Sequence, residues 1–196
     1  MAVIEFVKKK ENSNLLLLGI SEEGESARYT VDIRLYNEIG RPIKGDELSA
    51  SDMAAVIYSD EYYRARKKAL ALLSLSDNNE RTLRDKLMRG GIRREIAAEV
   101  VAEMVGRGFV DEARQLERLV LREANEALYG YYKITARLLR KGYKLSDIRH
   151  TVDNLCESGE VDFDENLARL KEKKLHEDYD PLELEKLLYK YGYKKC

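Results

Sequence analysis

Hydrophobic residues after about residue 60 recur at helical intervals. Leu83 and Leu87 lie four residues apart and are followed by Gly91. The next apolar stripe comprises Ile96, Val100, Val101, Met104 and Val105. Spacings of three to five residues place such side chains on one face of an α-helix. A glycine that follows basic residues at the end of a stripe favours a left-handed helix cap. The pattern therefore predicts two helices joined by a tight glycine turn.

The same pattern returns further along the chain. Residues 79–111 match residues 130–162 at a constant interval of 51, without a gap. The matched pairs are Leu83 and Ile134, Leu87 and Leu138, Gly91 and Gly142, Val101 and Val152, Met104 and Leu155, Gly108 and Gly159, Val110 and Val161, and Asp111 and Asp162. A shorter third copy places Leu184, Leu188 and Gly192 at an interval of 50. An apolar segment precedes each pair of helices, so the repeating unit is three helices in about 50 residues.

The first 36 residues show a different, alternating pattern. The segments AVIEFVKK, NLLLLGI and ARYTVDIRLY are separated by polar turns and predict a three-stranded antiparallel meander. In the third segment Tyr29, Val31, Ile33 and Leu35 would share one face. A short helix capped by Asp46 or Ser49 is then expected before the first helix of the first repeat.

These patterns together predict a mostly α-helical fold. Tandem three-helix repeats, two full and one truncated, would follow a small antiparallel β module. The expected domains are residues 1–45 for the β module, 46–111 for the first repeat with its leading short helix, 112–163 for the second repeat, and 164–196 for the partial third repeat. A three-helix unit buries little surface alone, so stacking on its neighbour should stabilise it.

Composition limits the class of protein. Of 196 residues, 44% are hydrophobic and 36% are charged, which suits a modest core with well-solvated helices. The sequence shows neither an apolar run of membrane-spanning length nor an N-terminal signal peptide. We therefore expect a cytoplasmic protein without a membrane partner.

The net charge of −1 conceals two basic segments. Residues 64–94 contain 10 basic and 3 acidic residues, a balance of +7. Residues 133–149 contain 6 basic and 1 acidic residue, a balance of +5. Such segments could contact phosphates or an acidic protein surface, or they could be ordinary solvated helix faces.

Catalytic chemistry finds little support in the sequence. Cys156, Cys196, His150 and His176 share no metal-ligand spacing, and Cys156 lies on an apolar stripe where a buried thiol is expected. The sequence shows no glycine-rich phosphate loop and no nucleophile with a nearby base. We therefore expect neither enzymatic activity nor a cofactor or metal.

The order of these segments resembles the RecX family of regulators of the RecA recombinase. The resemblance covers roughly residues 44–192. It rests on GDELSASDMAAVIYSDEYYRARKKALALL, LRDKLMRGGI, GFVDE, YKITARLLRKGY and ENLARLKEKKL. It implies tandem three-helix repeats that bind the RecA filament on single-stranded DNA and restrain its recombinase and ATPase activity in DNA repair and the SOS response.

The resemblance makes the RecA filament the expected partner, with single-stranded DNA as a second partner and a monomer as the expected state. The candidate binding residues belong to the two basic segments and are Arg64, Lys67, Lys68, Arg81, Arg84, Lys86, Arg89, Arg93, Arg94, Lys133, Arg137, Arg140 and Lys141. Tyr129, Tyr131, Tyr132 and Tyr143 accompany the second segment and could stack on unpaired bases or close the core. Two other functions stay open: a helix-turn-helix reader of duplex DNA, and a protein-interaction scaffold that does not act on RecA.

Overall fold

The computed structural model describes residues 1–176 and 178–194. Two compact units are present. The first unit contains residues 1–75 and 84–104, and the second contains residues 76–83 together with the chain from Val105 onward. Cys196, which the sequence analysis considered as a metal ligand, lies outside the described residues.

The β module of the first unit is a four-stranded antiparallel sheet. Its strands are β1 (Ala2–Lys9), β2 (Leu15–Glu22), β3 (Glu25–Asp32) and β4 (Glu47–Leu48), in the order β3-β2-β1-β4. Its core contains Ile4, Leu18, Ile20 and Val31, covered by apolar residues of the following long helix. Alternate side chains of each strand point to that face, as the sequence pattern requires.

The predicted extension of the third strand to Tyr36 is wrong. β3 ends at Asp32, whose carboxylate caps helix α1 (Ile33–Glu38) by accepting a hydrogen bond from the Arg34 N–H at 2.8 Å. Ile33, Leu35 and Tyr36 also fit a short helical stripe, so alternation alone could not separate strand from helix. The side-chain cap at Asp32 favours the helix.

Helix α2 (Ala50–Leu75) is continuous, whereas the sequence predicted a short helix followed by a second one. The predicted cap at Ser49 is present, because the Ser49 hydroxyl accepts from the Asp52 N–H at 3.1 Å. Asp60 occupies the repeat position of Asp111 and Asp162, which both begin helices. In α2 the Asp60 carboxylate instead accepts from the Thr30 N–H of β3 at 2.9 Å, so it ties the first repeat to the sheet.

The remaining helices follow the predicted repeat. They are α3 (Glu80–Arg89), α4 (Arg94–Gly106), α5 (Glu112–Leu121), α6 (Tyr131–Arg140), α7 (Leu145–Glu157), α8 (Phe163–Lys174) and α9 (Pro181–Tyr191). A π-helical turn, Arg122–Glu126, extends α5. The prediction of a mostly α-helical fold with tandem three-helix repeats behind a small antiparallel sheet is confirmed.

The glycine turns have the backbone conformation that the repeat predicts. Gly91, Gly142 and Gly192 have φ values of +85°, +96° and +82°, which lie in the left-handed region. The predicted caps are also present: Asn79 accepts from the Thr82 N–H at 2.8 Å, and Asp180 accepts from the Leu182 N–H at 3.1 Å. Local helix boundaries were therefore readable from sequence.

In the second unit, the second helices of successive repeats meet end to end. The C-terminal Lys141 carbonyl of α6 accepts from the Asn79 side chain at 2.9 Å. The carbonyl of Tyr191, at the end of α9, accepts from the Gly130 N–H at 2.8 Å, and the Gly192 carbonyl accepts from the Tyr132 N–H at 3.1 Å. Each contact pairs a helix C-terminus with the N-terminus of the helix one repeat earlier, so the helix dipoles align favourably.

The prediction of a buried thiol at Cys156 is wrong, because Cys156 is exposed. α7 buries Ile148, Val152 and Leu155, and Cys156 lies at the edge of that stripe.

Throughout the described ranges, each helix is too short or too polar to cross a membrane.

Candidate interaction surface

The candidate basic side chains of the first unit lie on α2, on α3, in the α3–α4 turn and at the start of α4. They are Arg64, Lys67, Lys68, Arg84, Lys86, Arg89, Arg93 and Arg94. α2 and α3 carry their apolar residues on the opposite side, where Ala65, Ala69 and Leu87 are buried. The cations are therefore held at the surface by the helical pattern itself.

Several of these cations have partners within the unit. Arg64 forms an ion pair with Asp60 at 2.9 Å. The Lys68 ammonium donates to the Gly90 carbonyl at 3.3 Å, at the C-terminus of α3, where a positive charge is favourable. These contacts stabilise the fold of the unit.

Arg93 makes two hydrogen bonds to one carboxylate. Its backbone N–H donates to one oxygen of Glu61 at 2.9 Å, and its guanidinium donates to the other at 2.6 Å. Burial raises the pKa of the Glu61 carboxyl, but these two hydrogen bonds and the Arg93 charge outweigh burial, so the pKa lies below its ordinary value. Arg93 therefore anchors the α3–α4 turn to α2.

Lys67, Arg84 and Arg94 differ from this anchored set. All three are exposed, and in residues 1–176 and 178–194 they have no ion-pair partner. We call these three residues the exposed triad. Because they are already solvated, binding an anionic partner would break no contact within the protein.

The basic side chains of the second unit are more strongly engaged. Arg137 pairs with Glu123 through two contacts, from Nε at 2.7 Å and from a terminal nitrogen at 3.2 Å. The Glu123 side chain is 4% exposed and lies in the π-helical turn. A buried carboxylate of this kind requires its cation, so Arg137 is a structural residue.

Lys133 is held by two aromatic rings. Its ammonium lies 4.1 Å from the ring centre of Tyr129 and 5.3 Å from that of Tyr191, and it donates to the Lys190 carbonyl at 2.8 Å. Burial, followed by repulsion from Arg137 and Lys190, lowers the pKa of Lys133. These contacts join α6 to α9.

The remaining second-unit candidates lie nearer to solvent. Arg140 and Lys141 are exposed at the end of α6, and Arg81 is exposed near the start of α3. The structure therefore brings Lys133 and Arg137 into one cation–aromatic cluster with Tyr129 and Tyr191, and leaves these three at the surface.

The tyrosines divide between core and surface. Tyr143 is 6% exposed, its hydroxyl donates to Gln115 at 3.0 Å, and burial raises its pKa. Tyr132 is 44% exposed, and Tyr131 contacts it edge to face. Tyr143 therefore closes the core, whereas Tyr132 retains a surface that could stack on a base.

One surface feature of the first unit was not found by sequence reasoning. Tyr58 and Tyr62, one turn apart on α2, stack with ring centres 6.5 Å apart and line an apolar hollow of about 500 Å³. Their hydroxyls donate to Glu99 and Glu103 of α4. The hydrogen bond to Glu99, with burial, raises the pKa of Tyr58 to about 12. The four-residue spacing of the tyrosines was the available signal, but their α4 partners are 41 residues away.

The described residues offer no group of three or more histidine, cysteine or carboxylate side chains that could hold a metal ion. The charged side chains described above contact one another through ion pairs and hydrogen bonds.

Comparison with known proteins finds similarity to RecX regulatory proteins. No protein-family model matches the chain. Regulatory protein RecX of Clostridioides difficile is 26% identical over 131 residues, which cover 67% of this chain and 60% of that protein. Regulatory protein RecX of Bacillus cytotoxicus is 24% identical over 178 residues, covering 89% of this chain and 64% of that protein. A crystal structure of a regulatory protein RecX superposes with a TM-score of 0.72 at 20% identity, covering 100% of this chain and 95% of that one.

The resemblance to the RecX regulatory proteins is confirmed. Regulatory protein RecX of Bacillus cereus extends the sequence match to the whole chain, at 23% identity over 74% of that relative. The chain spans only 60% and 64% of the first two RecX relatives given above. The RecX crystal structure supports the fold. These relatives are named as regulatory proteins, and none is named as an enzyme.

Proposed function

We propose that this protein is a cytoplasmic regulator that binds the RecA nucleoprotein filament and inhibits its recombinase and ATPase activity during DNA repair and the SOS response. The observation that carries the proposal is the combination of whole-chain sequence similarity to RecX regulatory proteins with the RecX fold. The protein acts by binding as a monomer and needs no catalytic chemistry of its own.

The geometry supports the exposed triad as the first contact with the filament. Lys67, Arg84 and Arg94 are solvated, so their side chains can contact a phosphate or carboxylate without breaking an ion pair in the described structure. Arg89, Arg140 and Lys141 are also exposed and extend the candidate surface. Arg64, Lys68, Arg93, Lys133 and Arg137 support the fold in this account.

The charge of the repeat helices argues against a duplex-DNA reader. In a helix-turn-helix arrangement, α4 or α7 would be the recognition helix that enters the major groove. Each carries three acidic residues and one basic residue, a balance of −2. Phosphates would repel such a helix, so a role in reading duplex DNA is disfavoured.

The proposal is tested by adding the protein to RecA that is hydrolysing ATP on single-stranded DNA, at a fixed salt concentration. Salt is fixed because nonspecific contacts between cations and phosphates depend steeply on it. We expect inhibition at amounts well below one protein per RecA protomer, because a bound regulator restrains neighbouring protomers as well.

Two results would oppose the proposal. An unchanged ATPase rate with folded protein would favour an interaction scaffold that does not act on RecA. Inhibition only at amounts that coat the DNA, and lost when more DNA is added, would indicate competition for single-stranded DNA.

A further inference from the structure

The outer edge of β3 carries backbone groups that no other strand pairs. β3 is an edge strand, because only β2 pairs with it. In an antiparallel pair, successive residues direct their N–H and C=O groups alternately towards and away from the partner strand. The Thr30 N–H donates to Asp60 of α2, so it points away from β2. Arg28 and Ser26, two and four residues earlier, therefore point the same way. In residues 1–176 and 178–194, the outward N–H and C=O groups of Arg28 and Ser26 have no hydrogen-bond partner.

An apolar hollow of about 530 Å³ adjoins this edge. Ile20 and Met53 form its floor and are 1% and 7% exposed, and Ala27 and Tyr29 of β3 line it beside them. Met53 belongs to α2, so the hollow lies where the helix meets the edge strand. Because side chains alternate along a strand, Ala27 and Tyr29 share one face of the sheet. A strand added to β3 would therefore place every second side chain next to this hollow.

The hollow has an acidic border. Glu22, Glu23 and Glu25 line it, and all three are exposed. Among the described residues none of the three has an ion-pair partner, and they do not belong to a group that could hold a metal ion. Apolar surface bordered by unpaired carboxylates matches a lysine or arginine side chain, whose aliphatic stem covers apolar atoms while its charge stays in water at the border.

A second copy of this chain does not supply the matching charge in a closed assembly. Two copies related by a two-fold axis would pair β3 with β3, and each would bring the same three glutamates. Lys8 and Lys9 lie in β1, towards the other edge of the sheet, so pairing β1 of one copy with β3 of another would be head-to-tail. Such contacts continue into open-ended fibres. The occupant is therefore assigned to a different protein.

We propose that the β3 edge and the adjoining hollow bind an extended basic segment of another protein by strand addition. The backbone of the segment pairs with Ser26 and Arg28, an apolar side chain enters the hollow, and a lysine or arginine two residues away reaches the glutamates. Main-chain hydrogen bonds then supply affinity, and alternate side chains supply specificity. Asp60, which holds the Thr30 N–H, ends the pairing surface. The site shares no residue with the exposed triad, and the inference does not rest on RecA binding.

The test uses the full chain and a fluorescein-labelled peptide, Thr-Lys-Thr-Ile-Thr-Lys-Thr-Ile, which places lysine and isoleucine alternately on one face of a strand. Fluorescence anisotropy should show saturable binding with a dissociation constant below about 1 mM. A peptide with both lysines replaced by glutamate should bind at least about tenfold more weakly, because it loses the charge match. Methylation of two successive central backbone amides should weaken binding similarly, because it blocks pairing along either edge of the peptide.

Amide hydrogen exchange locates the bound peptide. In the free protein the amides of Ser26 and Arg28 should exchange fast, because they lack a hydrogen-bond acceptor, and the lysine peptide should slow both at least about tenfold. The amides of Ala27 and Tyr29 point towards β2, so they should exchange slowly with and without the peptide.

Substitutions test the role of the acidic border. Glu22→Gln with Glu25→Gln should weaken binding of the lysine peptide at least about tenfold and leave the fold intact, because both side chains are exposed. The matched control is Glu117→Gln with Glu172→Gln, two exposed glutamates of the second unit whose removal changes the net charge equally. This control should leave peptide binding unchanged.

Several results would overturn the proposal. Absence of binding at millimolar peptide would do so, as would equal binding of the lysine and glutamate peptides or equal loss in the two double variants. Binding that leaves the Ser26 and Arg28 amides in fast exchange would place the peptide elsewhere. Slow exchange of these amides in the free protein, with concentration-dependent sedimentation, would assign the edge to a second copy. The peptide series uses the unsubstituted protein, so it stays decisive if a variant unfolds.

Discussion

Two basic segments that are similar in sequence have different roles in the structure. Residues 64–94 and 133–149 have charge balances of +7 and +5, and both are largely helical. The first segment leaves the exposed triad solvated. In the second, Arg137 pairs with the buried Glu123, and Lys133 lies against Tyr129 and Tyr191.

A high density of basic residues does not by itself identify a binding surface. A cation with a buried carboxylate partner supports the fold, and removing it would leave a charge uncompensated. An exposed cation contributes little to stability and keeps its charge available for a partner. Substitution of the paired residues in the second segment should therefore change stability. Substitution of the exposed triad in the first segment should change binding.

The largest expected effect is on stability in the second segment. Arg137→Met should lower the free energy of unfolding by about 3 kcal/mol, because the Glu123 carboxylate, whose side chain is 4% exposed, would lose its cation. Urea unfolding followed by circular dichroism measures this change. The paired substitution Glu123→Leu with Arg137→Met should recover most of the loss. A single-variant effect below about 1 kcal/mol would show that the ion pair is not structural.

The next effect concerns the contact between α9 and α6. A methyl group added at Gly130 would lie 2.5 Å from the Gly192 carbonyl oxygen, which is backbone and cannot rotate away. Gly130→Ala should therefore lower the free energy of unfolding by about 2 kcal/mol. Gly106→Ala is the control, because nothing lies within 4 Å of the added methyl, and it should be close to neutral. Equal stability of the two variants would mean that α9 is not held against α6.

The third prediction reverses the exposed triad. Lys67→Glu, Arg84→Glu and Arg94→Glu together should raise the protein concentration needed for half-inhibition of the RecA ATPase by at least about tenfold, or about 1.4 kcal/mol. The free energy of unfolding should change by less than about 1 kcal/mol, because exposed charges contribute little. The control reverses Lys8, Lys9 and Lys44, which are exposed in the β module and change the net charge equally. Equal weakening by both variants would assign the effect to net charge.

The smallest effect is a pH dependence at Glu61. Its folded-state pKa lies below the ordinary 4.5, so its contribution to stability is present above pH 4.5 and is lost as the pH falls through the lowered pKa. Glu61→Gln should cost about 1 kcal/mol at pH 7. The difference from the unsubstituted protein should shrink towards zero in acid, as urea unfolding at several pH values would show. Glu117→Gln, at an exposed position, should show neither the cost nor the trend; a cost at Glu61 that is independent of pH would contradict the assignment.

Much of the fold could be predicted from local sequence signals. The interval of 51 residues placed the helices, and Gly142, Asn79 and Asp180 marked ends and beginnings that the structure confirms. Each of these signals depends on a few neighbouring residues, such as a side chain that caps its own helix. The boundary at Asp32 was missed because alternating and helical patterns overlap there.

The candidate surface was less accessible to sequence reasoning. The partners of Arg137, Arg93 and Tyr58 lie 14, 32 and 41 residues away, so only tertiary packing brings them together. The sequence identified the cations but could not separate anchored from solvated ones. The sequence also could not predict that Leu184 and Leu188 are only half-buried, because their spacing is identical to that of the fully buried Ile134 and Leu138.

Co-sedimentation with RecA filaments, assembled on single-stranded DNA with a slowly hydrolysed ATP analogue at fixed salt, tests the proposed binding without an enzymatic readout. We expect the protein to pellet saturably with the filament, and the exposed-triad reversal to stay in the supernatant while remaining folded. We also expect much weaker pelleting with the same DNA without RecA. Equal recovery with naked DNA and with filaments, or no recovery with filaments, would contradict the account.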